Sequence, residues 1–213
     1  MIYKNRFEAG LVLADRLSQY QETNAIILAV PRGGIQLGYP IAKALNLPLD
    51  VVLAKKLVHP VHKEVAIGGA TLSDYFYDLN IGVDKAYIEQ EIIRVRNLLK
   101  KRQTMYYGLE APESVKDRIA IIVDDGIATG NTLMACVNLV RKSQPSKIVV
   151  AVPIGVPSSN KKFEESEIID EFICLHAPEN FSAVGQFYED FSQVSDEEVF
   201  SLLKNYRSER LMN

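Results

Sequence analysis

The sequence predicts an α/β fold, a Rossmann-like parallel sheet flanked by helices. Three observations predict it. Ala25 to Val30 and Ile119 to Val123 are continuous apolar runs of strand length, the pattern of strands buried on both faces. Each run ends in a loop of small residues that leads into a stretch with helical apolar spacing. Lys147 to Val152 repeats the apolar run after one such helix.

The elements follow in order. Asn5 with Glu8 has the form of a capping box, and Phe7, Leu11, Ala14 and Leu17 mark one face of a first helix. Ala25 to Val30 is the first strand. It breaks at Pro31-Arg32-Gly33-Gly34, and a helix follows through Ile41 and Leu45. Pro48 separates that helix from a second strand, Leu49 to Leu53, and Val65 to Ala70 is a candidate third. Strand and helix alternate again over Ile119 to Val123, Thr132 to Lys142 and Lys147 to Val152.

Two regions depart from this pattern. Thr71 to Arg118 is a polar and aromatic excursion, within which Asp84 can cap a helix carrying Ile88, Ile92, Val95 and Leu99. Glu89 and Glu91 near its start and Lys100, Lys101 and Arg102 near its end suit the helix dipole. The C-terminal sixty or so residues hold a strand at Glu171 to Leu175 and a loop containing proline and aromatics. A last helix follows, capped by Ser195 with Glu198, with Val199, Leu202, Leu203 and Tyr206 on one face. The expected organisation is one domain over 1–213. Its core is about 1–70 and 115–155, its insertion about 71–114 and its C-terminal lobe about 156–213.

Bulk properties narrow the function. A formal charge of -3 argues against broad nucleic-acid binding, which needs a basic surface. No apolar run approaches the ~20 residues of a membrane span, and Met1 to Arg6 lacks the apolar core of a signal peptide. Cys136 and Cys174 read as small buried apolar residues. The expectation is a cytoplasmic enzyme or binding protein with a small-molecule partner, no nucleic acid and no membrane.

The most informative stretch runs from Ile119 to Thr132. A buried strand ends in Asp124-Asp125, and Gly126-Ile127-Ala128-Thr129-Gly130-Asn131-Thr132 turns into a helix. The carboxylates can accept hydrogen bonds from hydroxyls or hold a hydrated cation. The loop and helix start offer backbone N–H groups and a positive dipole end, which favour a phosphate. Carboxyl ends of parallel strands are where open α/β sheets bind ligands. A P-loop needs Gly-x-x-x-x-Gly-Lys-Ser/Thr, a dinucleotide fold needs Gly-x-Gly-x-x-Gly, and a phosphoaspartate enzyme needs Asp-x-Asp-Gly-Thr. None of the three is present.

Val123 to Thr132 resembles the phosphoribosyl-pyrophosphate motif of type I phosphoribosyltransferases: apolar residues, two acids, two mostly apolar residues, then a small Thr/Gly loop. The resemblance implies that Asp124 and Asp125 engage the ribose hydroxyls, while Ala128 to Thr132 wrap the 5′-phosphate. Pro31-Arg32-Gly33-Gly34 matches the family's pyrophosphate loop, often built on a non-proline cis peptide. There Gly33 and Gly34 would let the backbone approach an anion, and Arg32 can fork onto phosphate oxygens. Lys55 and Lys56, just past the second strand, read equally as a further pyrophosphate contact or as a solvated pair.

The resemblance covers most of the chain. Pro60 to Ala70 and Asp84 to Tyr107 lie where such enzymes carry a loop that closes over the reaction. Phe181 to Phe191 lies where they carry a C-terminal hood over the acceptor. Relatives acting on 6-oxopurines usually carry Asp where this chain has Ala128, so hypoxanthine–guanine salvage is disfavoured. Packing is the expected role for at least half of Phe181, Phe187, Tyr188 and Phe191, the alternative being stacking on a base. His59, His62 and Glu64 have a spacing that a helix would turn into a chelate, but Pro60 argues for a loop.

The function so implied is Mg²⁺-dependent transfer of a phosphoribosyl group from phosphoribosyl pyrophosphate to a nucleobase-like acceptor. The ion would sit on substrate phosphates, with no protein metal cluster. A homodimer follows only from the family's common habit. A non-catalytic sensor of phosphoribosyl pyrophosphate is the alternative, and a small sugar-phosphate hydrolase is the third reading.

Overall fold

In the computed structural model, which describes residues 2–63, 65–78, 82–108 and 110–212, the two apolar runs are neighbouring parallel strands. The chain proceeds through α1 (Arg6–Arg16), β1 (Ala25–Ala29), α2 (Gly34–Leu45), β2 (Leu49–Val51), β3 (Lys55–Val58), β4 (Ala66–Ala70) and β5 (Tyr75–Tyr77). It continues through α3 (Lys85–Tyr107), β6 (Ile119–Val123), α4 (Asn131–Lys142), β7 (Lys147–Ile154), α5 (Pro157–Glu164), β8 (Glu171–His176) and α6 (Asp196–Leu211). The main sheet is all parallel in the order β2-β1-β6-β7-β8.

Alternation along the strands divides the core. Ile27, Ala29, Ile121, Val123, Val149 and Ala151 face α1, α2 and α6. Ile26, Leu28, Ala120, Ile122, Ile148 and Val150 face α4 and Phe163 of α5. Each buried Ile, Leu or Val among them stabilises the fold by about 1.5–3 kcal/mol, and β1 and β6 carry no polar residue. No described helix is long and apolar enough to cross a membrane.

Several caps form as their sequence implies. Asn5 Oδ1 accepts from Glu8 N–H at 3.0 Å, and Ser195 Oγ accepts from Glu198 N–H at 3.1 Å. Asp84 Oδ1 accepts from Ala86 N–H and Tyr87 N–H at the start of α3. In α3, Ile88, Ile92, Val95 and Leu99 pack on Leu57 and Ile67 in a satellite core.

Other expectations are corrected. The stretch ending at Ala70 does not extend the parallel sheet. β4 is the centre of a separate antiparallel sheet, β3-β4-β5. Its flanking strands are too short for their periodicity to register in sequence. β2 ends at Val51, because the chain turns away where Ala54 N–H bonds the Val52 carbonyl, and so Lys55 and Lys56 begin β3. In α1 the buried face is Arg6, Ala9, Gly10, Leu13 and Ala14, while Leu11 is exposed. α3 runs on to Tyr107, so Lys100 to Arg102 do not lie in its last turn, nor Glu89 and Glu91 in its first. Glu91 is instead buried and bonds Arg94 at 2.6 and 2.7 Å.

Candidate functional site

Two strand-to-helix loops meet at the carboxyl edge of the main sheet. β1 and β6 pair with Ala29 opposite Val123, so the residues after each emerge side by side. Val30 N–H bonds the Val123 carbonyl at 2.9 Å and carries the pairing one step beyond the strands. The Pro31–Arg32 peptide is cis, as in the loop it resembles. Gly33 and Gly34 then pass against the acid pair. A Cβ on Gly33 would lie 2.3 Å from Asp125 Oδ2, and one on Gly34 would lie 2.8 Å from the Val123 carbonyl oxygen. The diglycine is thus required by the neighbouring loop, whatever anion it meets.

After β6 the second loop is held from behind. Ile127 N–H bonds the Ile154 carbonyl at 2.8 Å, and Val156 N–H bonds the Ile127 carbonyl at 3.0 Å. Ser159 Oγ donates to the Ala128 carbonyl at 2.6 Å. Gly130, at φ 73°, turns the chain into α4, whose start has no side-chain cap. The opening N–H groups of α4 are therefore left to a ligand or to water.

These features enclose a cavity of about 250 Å³ lined by Pro31, Asp124, Gly126, the 127–133 turn and Val184. Of the expected site residues, Asp124, Gly126, Ala128, Thr129, Gly130, Asn131 and Thr132 line it. Asp125, Gly33 and Gly34 are not among its lining residues; Gly33 packs against Asp125, and Gly34 against Val123 and Asp124. Arg32 lies near Tyr106 and Glu197, whose ionisation it favours, at the junction of α3 and α6. Lys55 and Lys56 do not line this cavity. Lys55 is half-buried, and burial lowers its pKa, assisted by Arg102, Arg94 and Lys56.

Burial and then the charge of Asp125 push the Asp124 carboxyl well above the usual carboxylate range, against the pull of Asp125 N–H and Arg6. Burial raises Asp125 too, with Arg6 opposing. Each carboxylate has one oxygen engaged internally. Asp124 Oδ1 accepts from Asp125 N–H at 2.9 Å, and Asp125 Oδ2 accepts from Arg6 Nε at 2.8 Å. A carboxylate accepts several hydrogen bonds, so both side chains keep capacity for donors such as vicinal hydroxyls.

Sequence reasoning missed Arg6, which lies 119 positions from Asp125 and carries no motif. It also missed Val184, which sits on Gly126. Of the four aromatics in the C-terminal loop, Phe187 and Tyr188 are buried, Phe181 packs on Phe187 at 5.7 Å, and Phe191 is exposed. His59 and His62 stack at 5.2 Å in a loop, with His59 Nδ1 accepting from Val61 and His62 N–H. Glu64 lies outside the described residues, among which no three metal-ligating side chains cluster.

The family profile described as "Phosphoribosyl transferase domain" matches residues 7–191. A protein of Mycobacterium tuberculosis named "Putative phosphoribosyl transferase" is 35% identical over 210 residues, covering 95% of this chain and 46% of that protein, in both strains compared. The chain thus spans about half the length of the curated relatives it matches. The crystal structure of the protein TT1426 from Thermus thermophilus is similar with a TM-score of 0.87 and 32% identity, over 97% of this chain and 99% of that one. By its two abutting strand-end loops and the match across residues 7–191, the chain belongs to the phosphoribosyl transferase domain family.

Proposed function

We propose that the chain binds phosphoribosyl pyrophosphate at this edge and transfers its phosphoribosyl group to a nucleobase-like acceptor. The observation that carries the reading is the shared cavity. Asp124 and the uncapped start of α4 line one space, which suits a sugar with hydroxyls at one end and a phosphate at the other. In the reaction the bond from ribose C1′ to pyrophosphate oxygen breaks, and its electron pair leaves with pyrophosphate. A nitrogen of the acceptor bonds C1′ and gives up its proton. The protein's work is orientation and charge stabilisation away from water. Asp124 and Asp125 would hold the hydroxyls, and the 128–132 turn the 5′-phosphate. The Pro31–Gly34 loop, with Arg32, would face the leaving group.

Asp124 and Asp125 are hard oxygen donors of the kind that a Mg²⁺ carried by the substrate would accept, directly or through its waters. Mg²⁺ keeps several waters and prefers substrate phosphates. When bound, it would neutralise charge on the departing pyrophosphate.

Titration calorimetry with phosphoribosyl pyrophosphate and Mg²⁺ tests the donor site. Replacing Asp124 and Asp125 together by Asn should abolish binding, and unchanged affinity would overturn the assignment. A nucleobase screen for pyrophosphate release tests transfer. Donor binding without turnover on any base would favour a sensor, and phosphate release without a base would favour a hydrolase.

A further inference from the structure

We propose that Arg6 is a positioning residue that fixes the Asp125 carboxylate and couples it to the C-terminal lobe. The inference rests on the donor-site reading above. Arg6 is the first residue of α1, where the positive end of the helix dipole disfavours a cation. It is also 5% exposed, which is costly for a guanidinium without partners. Neither position is explained by α1 itself. The contacts across the molecule explain both.

Nε donates to Asp125 Oδ2 at 2.8 Å, and Nη1 donates to the Ser192 carbonyl at 2.9 Å. The guanidinium carbon Cζ lies over the Phe191 ring, 3.8 Å from its centre. One planar, rigid group therefore grips the site acid with one edge and the lobe with another, a geometry that Lys cannot reproduce in full. The absence of a side chain at Gly33 leaves room for the grip, since a Cβ there would lie 3.1 Å from Arg6 Nε. A second link runs in parallel, from Tyr188 Oη to the Asp125 carbonyl at 2.7 Å. The residues around Arg6 are bonded to the lobe along the backbone as well. Tyr3 N–H bonds the Phe187 carbonyl at 2.8 Å, and Glu189 and Asp190 N–H bond the Tyr3 and Lys4 carbonyls at 2.8 and 2.9 Å.

The arrangement has two consequences. With Oδ2 held by Arg6, Asp125 presents Oδ1 to the donor in one orientation. A displacement of Phe191 or Ser192 is also transmitted to the donor's hydroxyl site. Anything that orders the lobe should then tighten donor binding, and the donor should order the lobe by the same factor.

The test is calorimetric affinity for ribose 5-phosphate and for phosphoribosyl pyrophosphate with Mg²⁺, alongside thermal melts. Arg6→Gln, Arg6→Lys and Phe191→Ala are the variants. Arg6→Gln should weaken both ligands at least tenfold. Arg6→Lys, which keeps a charged donor for Asp125, should lose about threefold. Phe191→Ala should weaken donor binding severalfold with a near-native melt. A purely structural Arg6 would instead give Lys and Gln variants of equal donor affinity, or affinities equal to wild type, and either result overturns the proposal. Unchanged donor affinity in Phe191→Ala overturns the coupling to the lobe. If Arg6→Gln fails to fold, the Arg6→Lys and Phe191→Ala affinities decide alone. Failure of the unmodified chain to bind either ligand overturns the donor-site reading itself, and is thus distinct from failure of this inference.

Discussion

Gly34→Ala is the sharpest probe of how the two loops depend on each other. The added Cβ would stand 2.8 Å from the Val123 carbonyl oxygen, about 0.6 Å inside the 3.4 Å at which ordinary contact begins. That oxygen is not free to retreat, because it accepts Val30 N–H at 2.9 Å and belongs to the last residue of a central strand. Overpacking of this kind costs about 1–3 kcal/mol, and alanine in a first helical turn returns up to about 1 kcal/mol through propensity. A net loss of about 1–2 kcal/mol lowers Tm by about 2–8 °C for a chain of this size. The same Cβ lies 3.5 Å from Asp124 Cα, so relaxation moves the acid pair away from the Pro31–Gly33 loop by some tenths of an ångström. A misplacement of about 1 Å can cost roughly a hundredfold, so donor affinity should fall on the order of tenfold. Thermal melts and calorimetry with phosphoribosyl pyrophosphate read the two effects separately. A Tm at or above wild type would refute the packing argument. A lowered Tm with unchanged donor affinity would refute the dependence of the acid pair on the loop.

Other outcomes follow from the same geometry. Asp124 has its pKa raised by burial and by Asp125, so its contribution to stability is present below the unfolded value of about 3.9 and lost as pH rises through the folded value. Asp124→Asn should therefore raise Tm at neutral pH, with the gain shrinking in acid, while donor binding falls; a neutral-pH Tm below wild type would contradict this sign. Asp84→Ala removes the N-cap of α3 and should cost about 1 kcal/mol, or about 2–4 °C, in a thermal melt. Gly130→Ala places a Cβ 2.6 Å from the Phe163 ring at φ 73° and should lower both Tm and affinity for inorganic phosphate. Cys136 is fully buried with its thiol pushed up to about 12, so iodoacetamide at neutral pH should leave it unlabelled in the native protein and label it after unfolding, as read by mass spectrometry.

The parallel core was legible because it is local and periodic. β1, β6 and β7 are runs of apolar residues, and an apolar run flanked by helical spacing has few ways to be buried. The caps at Asn5, Asp84 and Ser195 were legible for the same reason, since each acts within three residues. The small antiparallel sheet was not. β3 begins with two lysines, and β5 is three residues long, so their strand character comes from pairing with β4. The length of α3 was underread because its polar second half offers little apolar spacing. Tyr106 and Tyr107 are buried there, with hydroxyls bonded to Asp196 and Asp50.

The sequence by itself determined the chemistry of the strand-end loops, because strand, acid pair and small-residue turn are consecutive along the chain. It also determined that both loops leave the same edge of the sheet, since parallel strands all end at one side. Only the tertiary structure decided why Gly33 and Gly34 must be glycine, which is the nearness of Val123 and Asp125. Only it decided that Lys55 and Lys56 open the small antiparallel sheet as β3 and are not among the lining residues of the cavity. It alone revealed that Asp125 is held by Arg6 across 119 positions and tied through it to Phe191 and Ser192. A local motif records which groups meet a ligand. The partners that aim those groups come from distant segments, and no periodicity or spacing encodes them.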